Sequence, residues 1–212
     1  MLLKDPLTWN EIKKLVEDYD LEKLGRSQTQ LISYQNFKKM MMKKNVSLTT
    51  NLMINTMHWL PPETDIHLST EEAVDLIKYK DPRPFANPDD TFISVNKFPY
   101  YIKERTLHLL VWVKFPMLPD PNSEIGDIDD KMKQTIENYI QLNFVQKLGI
   151  KRDHLIWWKN YASIQSIKSI PHVHVLVNLE DDIDGSVQKN LDTIIGTGGL
   201  TLDYLDSTNC KL

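Results

Sequence analysis

The run Pro171-His172-Val173-His174-Val175-Leu176-Val177-Asn178 constrains the fold more than any other stretch of the chain. Alternate side chains of an extended strand share a face, so Val173, Val175 and Val177 form one apolar side, while the imidazoles of His172 and His174 leave the other about 7 Å apart. Such a strand needs a core beneath the valines. It also presents an outward-facing pair of titratable rings on a rigid support, which marks a candidate site without specifying a reaction.

The chain changes hydrophobic period along its length. Thr8-Trp9-Asn10-Glu11 is a capping box, and Trp9, Ile12, Leu15, Val16 and Tyr19 follow at helical spacing. A second helix is expected from about Ser27 to Lys44, burying Leu31, Tyr34, Phe37 and Met41, and Pro61-Pro62 closes this helical region of residues 1–60. Ser69 and Glu72 form another capping box, opening a short helix that turns Ala73, Leu76 and Ile77 inward and stops before Asp81-Pro82-Arg83-Pro84. Phe92 to Val95, His108 to Lys114, His154 to Lys159 and His172 to Asn178 then read as strands. Between the second and third lies an amphipathic helix with Ile128, Met132, Ile136 and Tyr139 on its buried face, Asp127 as its cap and Gly149 at its end.

That order predicts an α+β fold: two antiparallel hairpins in one sheet, a helix packed on one face, and an N-terminal helical layer. We expect residues 1–212 to form one domain, with the sheet and its helix over 85–180 and a C-terminal tail over 181–212. In the tail, a helix is expected near Val187 to Ile195, and Gly196-Thr197-Gly198-Gly199 reads as a flexible turn, lacking the lysine and strand-to-helix context of a phosphate loop. No internal repeat or low-complexity tract stands out.

At 212 residues and 41% hydrophobic content the chain can bury a substantial core. A formal net charge of -4 argues against a nucleic-acid-binding surface, and the Lys38 to Lys44 cluster reads as a solvated helix face rather than a membrane or RNA patch. Cys210 is the single cysteine, which excludes an intrachain disulfide or a cysteine-based zinc site. An acidic residue and a proline at positions 5 and 6 do not suit a signal sequence, and no apolar run approaches the ~18 residues of a membrane span. These features predict a soluble cytoplasmic protein.

Several unusual motifs fall in a recognisable order: Leu7-Thr8-Trp9, Leu24-Gly25-Arg26-Ser27 with Gln30-Leu31 and Tyr34, Asn96-Lys97-Phe98-Pro99-Tyr100, His108 to Lys114, Trp157-Trp158-Lys159-Asn160, and Ser163 to Val177. Together they resemble the fungal N-acetylglucosamine-induced protein family, cytosolic proteins without an established activity. The resemblance implies a fungal source and a link to amino-sugar or chitin metabolism. A shorter similarity, over Asn96 to Tyr100, His108 to Lys114 and Pro171 to His174, is to the histidine-triad hydrolases and nucleotidyl transferases. In that superfamily the second histidine attacks an α-phosphate, which implies His174 as nucleophile and His172 as the residue that orients it. Ser169 would then contact phosphate, and Asn160 stands near the superfamily's asparagine. A neutral imidazole suits nucleophilic attack near pH 7.

The departures bear on rate and affinity. Leu176 stands where the superfamily has a third polar group, a loss worth on the order of 10²–10³ in rate by analogy with deleted oxyanion donors. The loop Ser163 to Ser169 has no glycine to let its backbone approach a phosphate, although Lys168 supplies charge. His108 alternates with Leu110 and Trp112, so it lines the same cleft if its strand neighbours that of His172. A metal reading needs His108 or Glu180 as a third ligand and is set aside, because Glu180 lies six residues past His174 without flanking glycines; no metal and no cofactor are expected. Arg26 could meet phosphate or simply anchor the two N-terminal helices. Two functions stay open: binding of a nucleotide or nucleotide sugar with weak or no catalysis, and a non-catalytic protein–protein adaptor. Neither nucleic acid nor membrane is expected as a partner.

Overall fold

The computed structural model describes residues 1–202, so Cys210 lies outside the described residues. Ten named elements run in the order α1 (Trp9–Glu17), α2 (Gln28–Lys43), α3 (Leu48–Asn55), α4 (Thr70–Leu76), β1 (Thr91–Val95), β2 (Thr106–Val113), α5 (Asp130–Ile140), β3 (Leu155–Trp158), β4 (His172–Asn178) and α6 (Ser186–Asp192). The strands form one antiparallel sheet in the order β1-β2-β4-β3, two hairpins joined through β2 and β4. The protein is thus α+β, with the hairpins paired as their spacing predicts. Among the described residues no helix is long and apolar enough to cross a membrane.

The valine face of β4 does what its alternation requires. Val173, Val175 and Val177 join Leu109, Val111 and Val113 of β2 in a core closed by Ile136, Tyr139 and Ile140 of α5, Phe144 of the π-helical turn Gln141–Gln146, and Leu191 of α6. The N-cap of α5 is Asp129, which accepts from the Met132 amide at 2.7 Å. Asp127, the expected cap, instead pairs with Lys133 at 2.8 Å.

The histidine face is covered too, and the expectation of an outward-facing pair is corrected. Two separate apolar patches sit on it. In one, Met53, Ile54 and Met57, Leu60 and Ala73 of the α3–α4 region pack on Leu110, Trp112 and Ile170. In the other, Ile12 of α1 with Leu21 and Leu24 packs on Ile156, Trp158 and Leu176. His172 and His174 lie between the patches, only 7% and 6% exposed. The N-terminal layer therefore roofs the site.

The capping boxes at Thr8, Ser27 and Ser69 all form. Helix α3, absent from the sequence reading, is capped by Ser47 and buries Thr49 and Thr50, so its inner face carries no clean apolar period. Of the expected α2 stripe only Met41 is fully buried; Tyr34 and Phe37 are half-buried and pack on Phe98. Leu76 ends α4 and is exposed rather than turned inward.

The described part of the tail, residues 181–202, is tied down. The buried Asp182 carboxylate accepts from the Val187 and Gln188 amides at the start of α6. Gly196 donates to the Ile93 carbonyl and Ile93 donates to that of Thr197, so this segment covers the outer edge of β1. The expected flexible turn is therefore a packed strap. Gly198 is required there, since a Cβ would stand 1.8 Å from the Pro88 carbonyl oxygen. Backbone cannot yield as a side chain does, so Gly198→Ala should cost about 1–3 kcal/mol or more, read as a lower urea midpoint. An unchanged midpoint would show that the strap does not pack on Pro88.

Candidate functional site

Register brings the polar groups together. Trp112 pairs with His172, Leu110 with His174 and His108 with Leu176, which sets His108 diagonally beside His174 on one face. Trp158 of β3 is paired with His174 from the other side, and its indole stacks on that imidazole at 5.0 Å and 3°.

The donors and acceptors fix the tautomers. An indole N–H only donates. Trp158 Nε1 donates to Asn160 Oδ1 at 3.0 Å, which turns the Asn160 amide nitrogen toward His174, where Nδ2 donates to Nε2 at 3.1 Å. His174 Nε2 therefore bears no proton. The ring keeps its proton on Nδ1, which donates to His108 Nε2 at 3.0 Å. Asn96 borders the row. Its Oδ1 accepts from the Phe98 amide at 3.0 Å. Its Nδ2 lies 3.3 Å from His108 Nε2, whose lone pair His174 already takes, and 3.5 Å from His108 Nδ1, which bears the proton and is the one ring nitrogen of the pair without a matched partner. Tyr100 stacks on His108 at 5.3 Å.

His172 differs. A carbonyl only accepts, so the 2.9 Å contact with Ile170 O puts the His172 proton on Nδ1 and leaves the lone pair on Nε2. That nitrogen has no hydrogen-bond partner among the described residues. Its ring packs against Trp112, whose own indole donates to Ser94 Oγ at 2.9 Å.

All three imidazoles are held neutral. Burial pushes His108 down to about 3, with the Arg26 charge adding to the effect. Burial likewise lowers His172 to about 4, the Ile170 bond partly opposing it and Lys159 assisting. His174 is driven well below its ordinary value, first by burial and then by the neighbouring histidines and Arg26. Burial also raises the Tyr100 phenol, against a hydrogen bond with Asn160.

A cavity of about 180 Å³ opens at the end of this row. His172, His174 and Asn160 line it, as do Arg26, Asn96, Tyr100 and Trp112, with Tyr34 and Phe37 of α2 on the far wall. His108 sits behind His174 and does not reach it. Ser169 shares a 2.7 Å hydrogen bond with Thr49, and Lys168 is exposed; neither lines the cavity. Sequence reasoning missed Tyr100, Trp112 and Asn96 as site residues. The unusual Asn96 to Tyr100 motif was the available signal. Among the described residues no group of three or more His, Cys, Asp and Glu side chains is arranged to hold a metal ion.

Residues 8–178 match the family model described as a protein of unknown function, DUF3605. The chain belongs to the DUF3605 family. It is 36% identical over 206 residues to N-acetylglucosamine-induced protein 1 of Candida albicans, covering 94% of this chain and 78% of that protein. It is 22% identical over 170 residues to an uncharacterised protein of Saccharomyces cerevisiae, covering 80% of this chain and 77% of that one. The crystal structure of HTC1 superposes with a TM-score of 0.70 over 92% of this chain and 98% of that one, at 22% identity, which establishes a shared fold. The resemblance to the N-acetylglucosamine-induced proteins is thereby shown. Neither the family match nor these relatives support the expected similarity to the histidine-triad hydrolases.

The neutral histidines make stability pH-dependent, with a definite sign. Below about pH 6.5 the unfolded chain takes up protons that buried His172 and His108 refuse until about pH 4 and 3. Stability should be fully present above pH 6.5 and fall by a few kcal/mol, as an order of magnitude, between pH 6.5 and 4. Urea melts across that range check it, and His172→Gln should flatten the slope. A flat wild-type profile would mean that the rings are not buried neutral.

Proposed function

We propose that this protein serves the cytosolic response to N-acetylglucosamine, following the name of its Candida albicans relative, by binding a nucleotide or nucleotide sugar in the cavity at His172. The observation that carries this reading is an aromatic and amide-lined cavity whose wall includes His172, an imidazole with an uncommitted Nε2. The side chains of Tyr34, Phe37, Tyr100 and Trp112 give the lining the aromatic character that suits a base or a hexose, and Asn96, Asn160 and Ser94 add polar groups to it. At about 180 Å³ the cavity is smaller than the roughly 300–1,000 Å³ of a typical ligand pocket. It suits one ring-sized group, with the rest of the ligand lying along the mouth.

Catalysis in this reading is weak or absent. His174, the counterpart of the superfamily nucleophile, has both ring nitrogens hydrogen-bonded. Leu176, in the third polar position, is fully buried in the α1 patch. Attack on a phosphorus atom would fall to His172, neutral and with its lone pair directed by the Ile170 carbonyl.

A thermal-shift titration with AMP, UMP, UDP, UDP-N-acetylglucosamine and the free sugar tests the proposal. A ligand at 100 times its Kd should stabilise by about 2.7 kcal/mol, roughly 5–11 °C for a chain of this size. His172→Ala should lose most of that shift while remaining folded. Silence across the panel would overturn it in favour of an adaptor role on the same scaffold. One feature favours that alternative: Ile32, Met40 and Met42 of α2 are exposed at 49%, 41% and 75%.

A further inference from the structure

We propose that Arg26 is the anion anchor of this cavity, receiving a phosphate group of the ligand on its two terminal NH2 groups. This rests on the reading of the cavity as a ligand site and adds which end of the ligand is charged and what holds it.

Arg26 is held in place by its neighbours. Its Nε donates to the Phe98 carbonyl at 3.0 Å, and its guanidinium carbon lies 4.9 Å from the Tyr34 ring and 5.2 Å from the Tyr100 ring. The backbone around it is fixed as well. Arg26 N donates to Met1 O, Leu3 N to Arg26 O and Tyr101 N to Gly25 O. Gly25 permits this approach, because a Cβ there would meet the Met1 carbonyl oxygen at 2.7 Å. A planar fork pinned by Nε and by two ring faces has already lost the side-chain freedom that binding would otherwise cost.

What the guanidinium lacks is a counter-charge. Neither terminal nitrogen makes a hydrogen bond or ion pair with a described residue. The chain carries 29 acidic residues against 25 Lys and Arg, yet no Asp or Glu lines the cavity among the described residues. A second cation, Lys97, lies over the Phe37 and Phe98 rings at 4.3 and 5.8 Å and also lines the cavity. A half-buried, unneutralised Arg in an acid-free cavity selects an anion. Its remaining four N–H donors match the oxygens of a phosphate in a bidentate contact.

Matched probe pairs that differ only by a phosphate isolate this: uridine against UMP, and N-acetylglucosamine against its 6-phosphate, by calorimetry on the full chain. The phosphorylated member of each pair should bind about 10-fold or more tightly. Arg26→Gln should erase most of the ratio within each pair. Wild-type affinity for the phosphorylated probe alone should fall as salt rises from about 50 to about 300 mM, which needs no variant to fold. Equal affinity within each pair, or a phosphate preference that survives in Arg26→Gln, would overturn the anchor while His172→Ala still weakens binding and the cavity stands. No binding by any probe would overturn both.

Discussion

Burying His108 and His174 between two apolar patches is tolerable only because each of their nitrogens except one is matched by a partner of the correct kind. The direction of the row is set at one end by an indole that can only donate, so the order runs Trp158 to Asn160 to His174 to His108. An unpaired polar atom at this depth costs about 1–3 kcal/mol, so the row resists rearrangement. It also fixes the architecture around it. The α1 patch stands on Trp158 and Leu176, the α3 and α4 patch on Trp112 and Leu110, and the cavity opens where the row ends between them.

Local chemistry was the legible part of the fold. Three capping boxes are four-residue statements that need no tertiary context, and all three open helices. The strand alternation was equally local, and it assigned the valines to the core and the histidines to the opposite face. Long-range packing was not legible. Nothing near Gly198 announces that Pro88 will press against it, and nothing in the Thr49-Thr50 stretch announces a helix whose inner face sets two hydroxyls beside Met53 and Ile54.

Which predicted residues share a cavity was partly legible; their hydrogen-bonding states were not. His172, His174 and Asn160 meet at the cavity; β2 does neighbour β4, the condition the alternation of His108 left open, yet this sets His108 against His174 and behind it, off the cavity wall. Alternation does not reveal that a helical layer covers the face, and that layer turns an exposed pair into a neutral, hydrogen-bonded one. Which ring keeps a lone pair depends on single contacts: Ile170 O for His172, Asn160 Nδ2 for His174. Ser169 was placed by motif resemblance, and its hydroxyl is taken up by Thr49 from a helix that the sequence reading lacked. The described contacts of Arg26 tie Tyr34 of α2 to Phe98 and Tyr100 in the loop after β1, rather than joining the two N-terminal helices to one another.

The most direct test of the central claim is a long-range ¹H–¹⁵N correlation spectrum of histidine-labelled protein at pH 7, assigned with single His→Gln variants. The network requires His108, His172 and His174 to be neutral, each with its proton on Nδ1 and a bare Nε2. A proton on Nε2 of His174, or a charged ring at any of the three, would contradict it and return His174 to consideration as the reactive residue.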